Sequence, residues 1–434
     1  IRGAFGSPPL DEATVRGLAA ALARELHTRG PAPKAVLGGD TRDSTPVLCR
    51  WLAEELQAGD VATTYLGVVP TPAVAFATRA SHATAGIVVS ASHNPHPDNG
   101  IKLIDGQGFK WSPAAEAGLE SRSWRGSDSP AAVSLKPDEG AIEGYLQHLT
   151  QSLEGSAPLS GLAVALDTGN GAASAFAEEL FTALGARVHA LHANPDGRNI
   201  NAGCGSTHPQ VVAAEARAAG CDLGFAFDGD ADRAIFADET GEVRDGDAML
   251  YLWAKDLKQR GQLPGNRLVA TSMSNLGLEV ALRQEGIEVV RCDVGDRVVV
   301  ETMRQHSIEL GGEQSGHLVS LPLGTTGDGL MSALQLAALR QRDGRPLSIM
   351  LQDFQRFPQL LRNLRVRHKP DLASLPRVVE ASREVERQLG TEGRLVLRYS
   401  GTEPLVRIMI EGRDRAEIEA LADDLAAVLE AELT

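Results

Sequence analysis

The sequence predicts an α/β protein: three related α/β domains with mixed sheets plus a smaller C-terminal α+β domain around a central cleft. Three observations predict it. At 434 residues the chain is too long for one domain. Short apolar runs recur, and each opens into a loop rich in glycine and polar residues, with helical stretches between. The tail breaks that rhythm. Domain limits are expected at 1–138, 139–246, 247–355 and 356–434.

The first block alternates helix and strand. Residues 12–29 carry Val15, Leu18, Leu22 and Leu26 at helical spacing, and Gly30-Pro31 ends that helix. Residues 35–40 form a short strand that runs into Thr41, Arg42, Asp43 and Ser44. Residues 45–58 are helical again. Ile87-Val88-Val89 then reads as a buried strand. It breaks into Ser90, Ala91, Ser92, His93 and Asn94, and Pro95 and Pro97 forbid a helix or central strand there. Asp98-Asn99-Gly100 is a turn signal, and residues 101–104 resume an extended pattern. Residues 121–140 are rich in Ser, Pro, Gly and charge, and read as a linker.

The pattern returns twice. The strand at 162–166 opens into Asp167-Thr168-Gly169-Asn170-Gly171, with a helix over 172–184. The strand at 223–227 opens into Asp228-Gly229-Asp230-Ala231-Asp232-Arg233. In the third round, 267–270 opens into 271–275 with a helix over 276–284. Residues 308–310 then open into Gly311-Gly312-Glu313-Gln314-Ser315-Gly316-His317. In the tail, 360–367 and 394–398 read as strands and 375–389 as a helix. A polar turn at 399–404, a strand over 405–411 and an amphipathic helix over 415–433 complete it.

Composition excludes several classes. A net charge of -15 and a pI of about 5.2 argue against nucleic acid and anionic membranes, which want a basic face. Cys49, Cys204, Cys221 and Cys292 form no C-x-x-C pair, so reduced thiols in a cytoplasmic protein are expected. No apolar stretch approaches the roughly 18 residues of a membrane span, and no signal peptide is visible. The chain begins at Ile1 rather than Met, so further residues are expected before it.

Five loops carry candidate chemistry. Asp228, Asp230 and Asp232 alternate just past a strand, and three such carboxylates repel one another unless a cation is present. A hard divalent ion with oxygen ligands resolves this, and Mg²⁺ fits. Ser90 and Ser92 both offer a nucleophilic hydroxyl at a strand end. No Ser-His-Asp triad is visible, and His93 beside Ser92 is expected to diverge from it on an extended backbone. Metal-assisted phosphoryl transfer is the better chemistry. Arg398, Ser400, Gly401 and Thr402, with Arg407 beyond, fit a phosphate cradle, and fit an ordinary hairpin with surface arginines equally well. Asp296 and Arg297, after Gly295, carry the same two readings. Glu313, Ser315 and His317 suit the vicinal hydroxyls of a sugar, although a lone histidine is more often structural.

Together these loops resemble the α-D-phosphohexomutase superfamily, from the first residues to the last. Ser90-Ala-Ser-His-Asn-Pro95 is similar to its phosphoserine loop, and Asp228-Gly-Asp-Ala-Asp-Arg233 to its metal loop. Gly312-Glu-Gln-Ser-Gly-His317 is similar to its sugar loop, and the run from Arg398 to Pro404 to its phosphate-binding loop. Ile1-Arg2-Gly3 resembles the end of its opening motif. The sugar loop, Ser272-Met-Ser-Asn275 and Thr326-Gly-Asp-Gly329 have the form of the phosphoglucosamine mutase branch. Ala231 departs from the glycine common at that place.

The resemblance implies a mechanism. It selects Ser92 over Ser90 as the residue that carries a phosphoryl group, bound to Mg²⁺ through Asp228, Asp230 and Asp232. Glucosamine 6-phosphate and glucosamine 1-phosphate would interconvert through a glucosamine 1,6-bisphosphate that reorients, for amino-sugar nucleotide and cell-wall precursor synthesis. Arg233 would stabilise the moving charge, and Lys102 and His317 would be general base and acid. Arg2 and Arg42 would add positive charge around the serine, Arg2, His93, Asp296 and Arg297 would bind substrate, Glu313 and Ser315 the sugar hydroxyls, and Arg398, Ser400, Gly401, Thr402 and Arg407 the phosphate that does not react. A hexosamine phosphate is the expected partner, without nucleic acid or membrane, in a monomer or homodimer. The alternatives are a phosphomannomutase/phosphoglucomutase and, from another class, a non-catalytic sugar-phosphate sensor, for which a nucleophile beside a metal site would be superfluous. A metal-dependent phosphatase would have no need of a second phosphate cradle.

Overall fold

The computed structural model describes residues 1–122, 124–127, 132–400 and 404–433. These form two compact units. One comprises Ile1–Ser272 and Val290–Leu351; the other comprises Met273–Val289 and the tail from Gln352.

The larger unit holds three sheets built to one plan. In the first, the strands lie in the order Arg2–Ala4, Asp98–Asp105, Ala85–Val89, Lys34–Gly39, Ala62–Val68. The last three are mutually parallel, and Asp98–Asp105 runs antiparallel to Ala85–Val89. The second repeats this order with Val243–Arg244, Ala234–Asp238, Leu223–Phe227, Ala163–Asp167 and Arg187–Leu191. In the third, Arg267–Thr271 pairs parallel with Leu310–Gly312, which pairs antiparallel with Leu318–Ser320. The serine, metal and sugar loops therefore occupy one topological place. Each joins the last parallel strand of its sheet to the antiparallel strand beside it. Outer ends of strands are where α/β sheets present their ligands.

The central parallel strands, such as Ala85–Val89 and Leu223–Phe227, are apolar and buried because helices cover both faces, as parallel sheets require. Ala35, Leu37, Ile87 and Val89 pack with Leu18, Leu22, Leu48 and Leu52 of helices Glu12–His27 and Thr45–Ala58. On the other face, a methyl at Gly86 would lie 2.4 Å from Thr78 Oγ1 of helix Thr71–Ala80. Burying each such leucine contributes about 1.5–3 kcal/mol.

Three expectations are corrected here. Asp98-Asn99-Gly100 is not a turn but the start of a strand paired with Arg2–Ala4. Its buried Asn99 amide donates to Ser44 Oγ and Thr45 Oγ1, so the polar side chain is satisfied inside. The strand expected at 308–310 lies at Leu310–Gly312, where glycine allows close packing on Met303. The linker at 121–140 is anchored rather than free: Trp124, Val133 and Leu135 pack against the first core, and helix Glu139–Gln151 starts within it.

The smaller unit has an antiparallel sheet in the order Gln359–Arg365, Leu405–Gly412, Gly393–Tyr399. Helices Pro376–Leu389 and Arg415–Leu433 cover it through Val378, Val385, Leu421 and Leu425. Helix Leu276–Gln284 belongs to this unit, with Leu276 and Val280 against Phe357. Asn275 Oδ1 accepts the N–H groups of Phe357 and Gly277, and its amide donates to Phe357 O. Among the described residues no helix is long and apolar enough to cross a membrane.

Candidate active site

The serine loop is held from beneath by a buried ion pair. Asp40 and Arg42 end the strand Lys34–Gly39, and both side chains are fully buried, with Arg42 Nε 2.9 Å from Asp40 Oδ2. Arg42 then donates to three loop carbonyls: Pro95 at 2.6 Å, Asn94 at 2.8 Å and Ser92 at 3.1 Å. Asn201 adds a bond to Ser92 O at 2.9 Å. Ser90 donates to Asp40 Oδ2 at 2.6 Å and accepts the Ser92 N–H at 2.9 Å. Ser90 is thus a brace, and its hydroxyl is engaged.

Ser92 sits on a left-handed turn at φ 55°, a strained place for a residue with a Cβ. Its hydroxyl donates to Asp228 Oδ2 at 2.6 Å. The turn also corrects the expectation for His93. The backbone is not extended there, and His93 Nδ1 lies 3.4 Å from Ser92 Oγ and 3.2 Å from the Arg233 guanidinium. Burial, then Arg233, holds the imidazole below its usual range. The loops can approach because residue 229 is glycine: a Cβ there would lie 2.6 Å from Ser92 O.

Asp228, Asp230 and Asp232 are all buried, with ligand atoms within 4.8 Å of one another. Ala231 between them is at φ 51°, which explains why glycine suits that place. Burial, then Asp232 and Asp230, pushes the Asp228 carboxyl well up. Lys102 Nζ lies 2.5 Å from Asp230 and 3.5 Å from Asp232. Burial acts against its charge, but Asp230 and Asp232 outweigh this and raise its pKa, so here it is an ammonium. Thr71 donates to Asp230 Oδ2. Asp230 Oδ1 and Asp232 Oδ1 are buried with no hydrogen-bond partner among the described residues. Orphaned carboxylate oxygens this close fit a hard divalent cation.

The sugar loop joins the same centre. Gly316 O accepts the Ala234 N–H at 3.2 Å, just past the metal loop. Glu313 Oε1 accepts the Gly295 N–H at 3.0 Å, and Ser315 Oγ donates to Glu313 Oε2 at 3.3 Å. His317 is buried, and its Nε2 accepts the Gly327 N–H at 3.2 Å. A Cβ at 327 would press to 2.4 Å from the ring, so only glycine fits. Burial holds His317 at about 4, against the pull of Asp232. Asp296 lies 4.0 Å from His317 Nε2.

Other expected residues are placed more loosely. Arg2 reaches Asn94 Oδ1 at 3.4 Å, on the serine loop. Arg297 is taken up by a two-bond pair with Glu116, at 2.6 and 3.1 Å. In the smaller unit, Arg398 and Arg407 stand directly opposite on neighbouring strands. Arg407 donates to Ser400 Oγ at 3.4 Å, and Lys369 donates to Ser400 O at 2.7 Å. Like charges across a strand pair repel unless an anion lies between them. Gly401 and Thr402 lie outside the described residues.

Sequence reasoning missed Asp40, Thr71, Asn201 and Lys110. Asp40 and Arg42 were legible as polar residues at a strand end. Nothing in the sequence pointed to Lys110, whose ammonium pairs with Asp296 from the first sheet's domain.

Comparison with known proteins agrees with this geometry. Models of the phosphoglucomutase/phosphomannomutase family match in order: alpha/beta/alpha domain I over residues 1–129, domain II over 143–241, domain III over 245–357 and the C-terminal domain over 361–428. The phosphoglucosamine mutase of Symbiobacterium thermophilum is 45% identical over 435 residues, covering 98% of this chain and 96% of its own. That of Solibacter usitatus is 41% identical over 436 residues, covering 100% and 97%. A solved phosphoglucomutase/phosphomannomutase family protein from Burkholderia thailandensis superimposes with a TM-score of 0.80 at 26% identity, over 99% of this chain and 96% of that one. Similarity at this level runs through every loop described above, and the chain belongs to the phosphoglucomutase/phosphomannomutase family.

Proposed function

We propose that this chain is a phosphoglucosamine mutase, a phosphohexomutase of the isomerase class, that interconverts glucosamine 6-phosphate and glucosamine 1-phosphate. The observation that carries the reading is the Ser92 hydroxyl, buried and bonded to Asp228 within a cluster of three acids. In the phosphorylated enzyme the Ser92 Oγ–P bond breaks as a P–O bond forms to a sugar hydroxyl, whose proton passes to a neighbouring base while Ser92 Oγ takes one up. The glucosamine 1,6-bisphosphate turns over, and its other phosphate returns to Ser92.

Asp228, Asp230, Asp232 and the phosphate on Ser92 would hold Mg²⁺. The bound cation offsets charge on the phosphoryl oxygens. Arg233, whose Nε lies 3.7 Å from Asp232 Oδ1, would support the developing charge. Arg42 and Ser90 keep the loop in one conformation, so the nucleophile is placed before substrate binds. We assign Lys102 and His317 to proton transfer at the sugar hydroxyl, with the expected roles exchanged: the lowered imidazole can accept a proton and the Lys102 ammonium can donate one. Glu313 and Ser315 receive sugar hydroxyls. Arg398, Ser400, Gly401, Thr402 and Arg407 take the phosphate that does not react, and the like-charged pair Arg398–Arg407 supports that assignment. Four domains, at 1–138, 139–246, 247–355 and 356–434, are part of this reading. So are a cytoplasmic setting, consistent with four free cysteines, and a monomeric or homodimeric state.

The test is a coupled assay with Mg²⁺ and a hexose 1,6-bisphosphate primer, run with glucosamine, glucose and mannose phosphates. The largest kcat/KM is expected for glucosamine phosphate. A higher value for mannose or glucose phosphate overturns the sugar assignment, and no turnover of any overturns the mutase reading.

A further inference from the structure

Between the first sheet's domain and the sugar loop lies a cavity of about 190 Å³, lined by Lys110, Asp296, His317 and Thr326 among others. Two of its charged groups face each other: the Lys110 ammonium is paired with Asp296 Oδ2. Asp296 is held by its setting. It opens helix Asp296–His306, its Oδ1 accepts the Arg297 N–H at 2.6 Å, and the preceding Gly295 N–H is bonded to Glu313. Asp296 therefore moves as one piece with the residues assigned to sugar hydroxyls. Its carboxylate also lies within 4.8 Å of ligand atoms of Asp232 and His317, at the edge of the reacting centre.

We propose that Asp296 selects the substrate's 2-ammonium group, and that Lys110 is a resident cation which that ammonium displaces or shares. This rests on the mutase reading and names what distinguishes an amino sugar from a neutral one at that site. The geometry suits it. The amine at C2 is vicinal to the C1 hydroxyl, so when C1 faces Ser92 the amine sits on the carbon next to the one that bears the reacting oxygen. A carboxylate beside the metal-site acids is within reach of that position. Glucose carries a neutral hydroxyl there and leaves the Lys110–Asp296 pair intact. Glucosamine brings a second cation, which meets Asp296 at the Oδ2 now held by Lys110. The other carboxylates lining the cavity are less suited: Asp105 Oδ1 accepts the N–H groups of Gln107 and Phe109, and Glu301 is exposed.

The experiment measures calorimetric binding of glucosamine 6-phosphate and glucose 6-phosphate to the full chain with Mg²⁺, which needs no turnover. Wild type is expected to bind the amino sugar more tightly. Asp296→Asn should lower that preference about ten-fold, the usual worth of one charge-assisted hydrogen bond. Lys110→Met removes the competing cation and should raise the preference instead. Loss of Lys110 pairing affects both sugars, so the ratio isolates the ammonium contact. Equal weakening for both sugars in Asp296→Asn, an unchanged ratio, or a lowered ratio in Lys110→Met overturns the proposal. Wild type that binds both sugars and isomerises neither overturns the mutase reading alone.

Discussion

The Ser92 hydroxyl donates to Asp228 Oδ2 across 2.6 Å, joining residues 136 positions apart in the chain. The bond exists because two sheets of one design present equivalent loops to each other. It places a nucleophile on an acid whose carboxyl burial and two neighbouring carboxylates push well above its ordinary range.

Ser92→Ala tests the nucleophile. Intact-mass analysis should find a phosphorylated fraction in wild type and none in the variant. Turnover should fall by at least roughly a thousand-fold, as for other nucleophile deletions. A variant that still carries the phosphate would move the nucleophile elsewhere.

Arg42→Met tests the brace under the loop. It leaves Asp40 buried without its cation and frees three carbonyls. Breaking such a pair costs about 3–5 kcal/mol. Denaturant midpoints should show a loss of that order, and adding Asp40→Asn should recover part of it. An additive double variant would deny the coupling.

Asp230→Asn tests the cation. Saturating Mg²⁺ at a hundred times its Kd should stabilise wild type by about 2.7 kcal/mol. Melting with Mg²⁺ and with EDTA should show a shift in wild type that is much smaller in the variant. Equal shifts in both would place the ion elsewhere.

Arg407→Met tests the phosphate cradle. With Arg398 no longer opposed by a like charge, the hairpin should hold its stability while KM for hexosamine phosphate rises about ten-fold. An unchanged KM would leave that turn without a role in binding.

Asp328 supplies a pH signature. Burial pushes its carboxyl from 3.8 up to about 6, against hydrogen bonds from Met331 N and Tyr145. Between those values the folded chain keeps a proton that the unfolded chain releases. The associated stability is present below pH 4 and is lost as pH rises through 6. Asp328→Asn has no such term. Relative to wild type it should gain roughly 3 kcal/mol between pH 4 and pH 7, read by calorimetric melting. A constant difference between the two proteins across that range would refute the shift.

Much of this was legible from order along the chain. Apolar runs ending in polar glycine loops located all three loops of the larger unit, because a strand buried on both faces must be apolar and its end must not be. Spacing located the three aspartates, since carboxylates at alternating places at a strand end call for a cation. Other features were not legible. Asp98-Asn99-Gly100 reads as a turn from local propensity, and only pairing with Arg2–Ala4 makes it a strand. His93 was expected to point away from Ser92, because a left-handed residue at 92 leaves no trace in composition.

By itself the sequence determined the α/β architecture, the acidic loop at 228–232 and the family to which the chain belongs. These depend on periodicity and on residues close together along the chain. Tertiary structure alone decided that Ser90 braces while Ser92 faces Asp228, that Arg42 holds carbonyls, and that Lys110 pairs with Asp296. Those relations join residues dozens to nearly two hundred positions apart; strand pairing within the first sheet brings Asp40 and Arg42 to the serine loop, and packing of one sheet's loops against another's makes the rest.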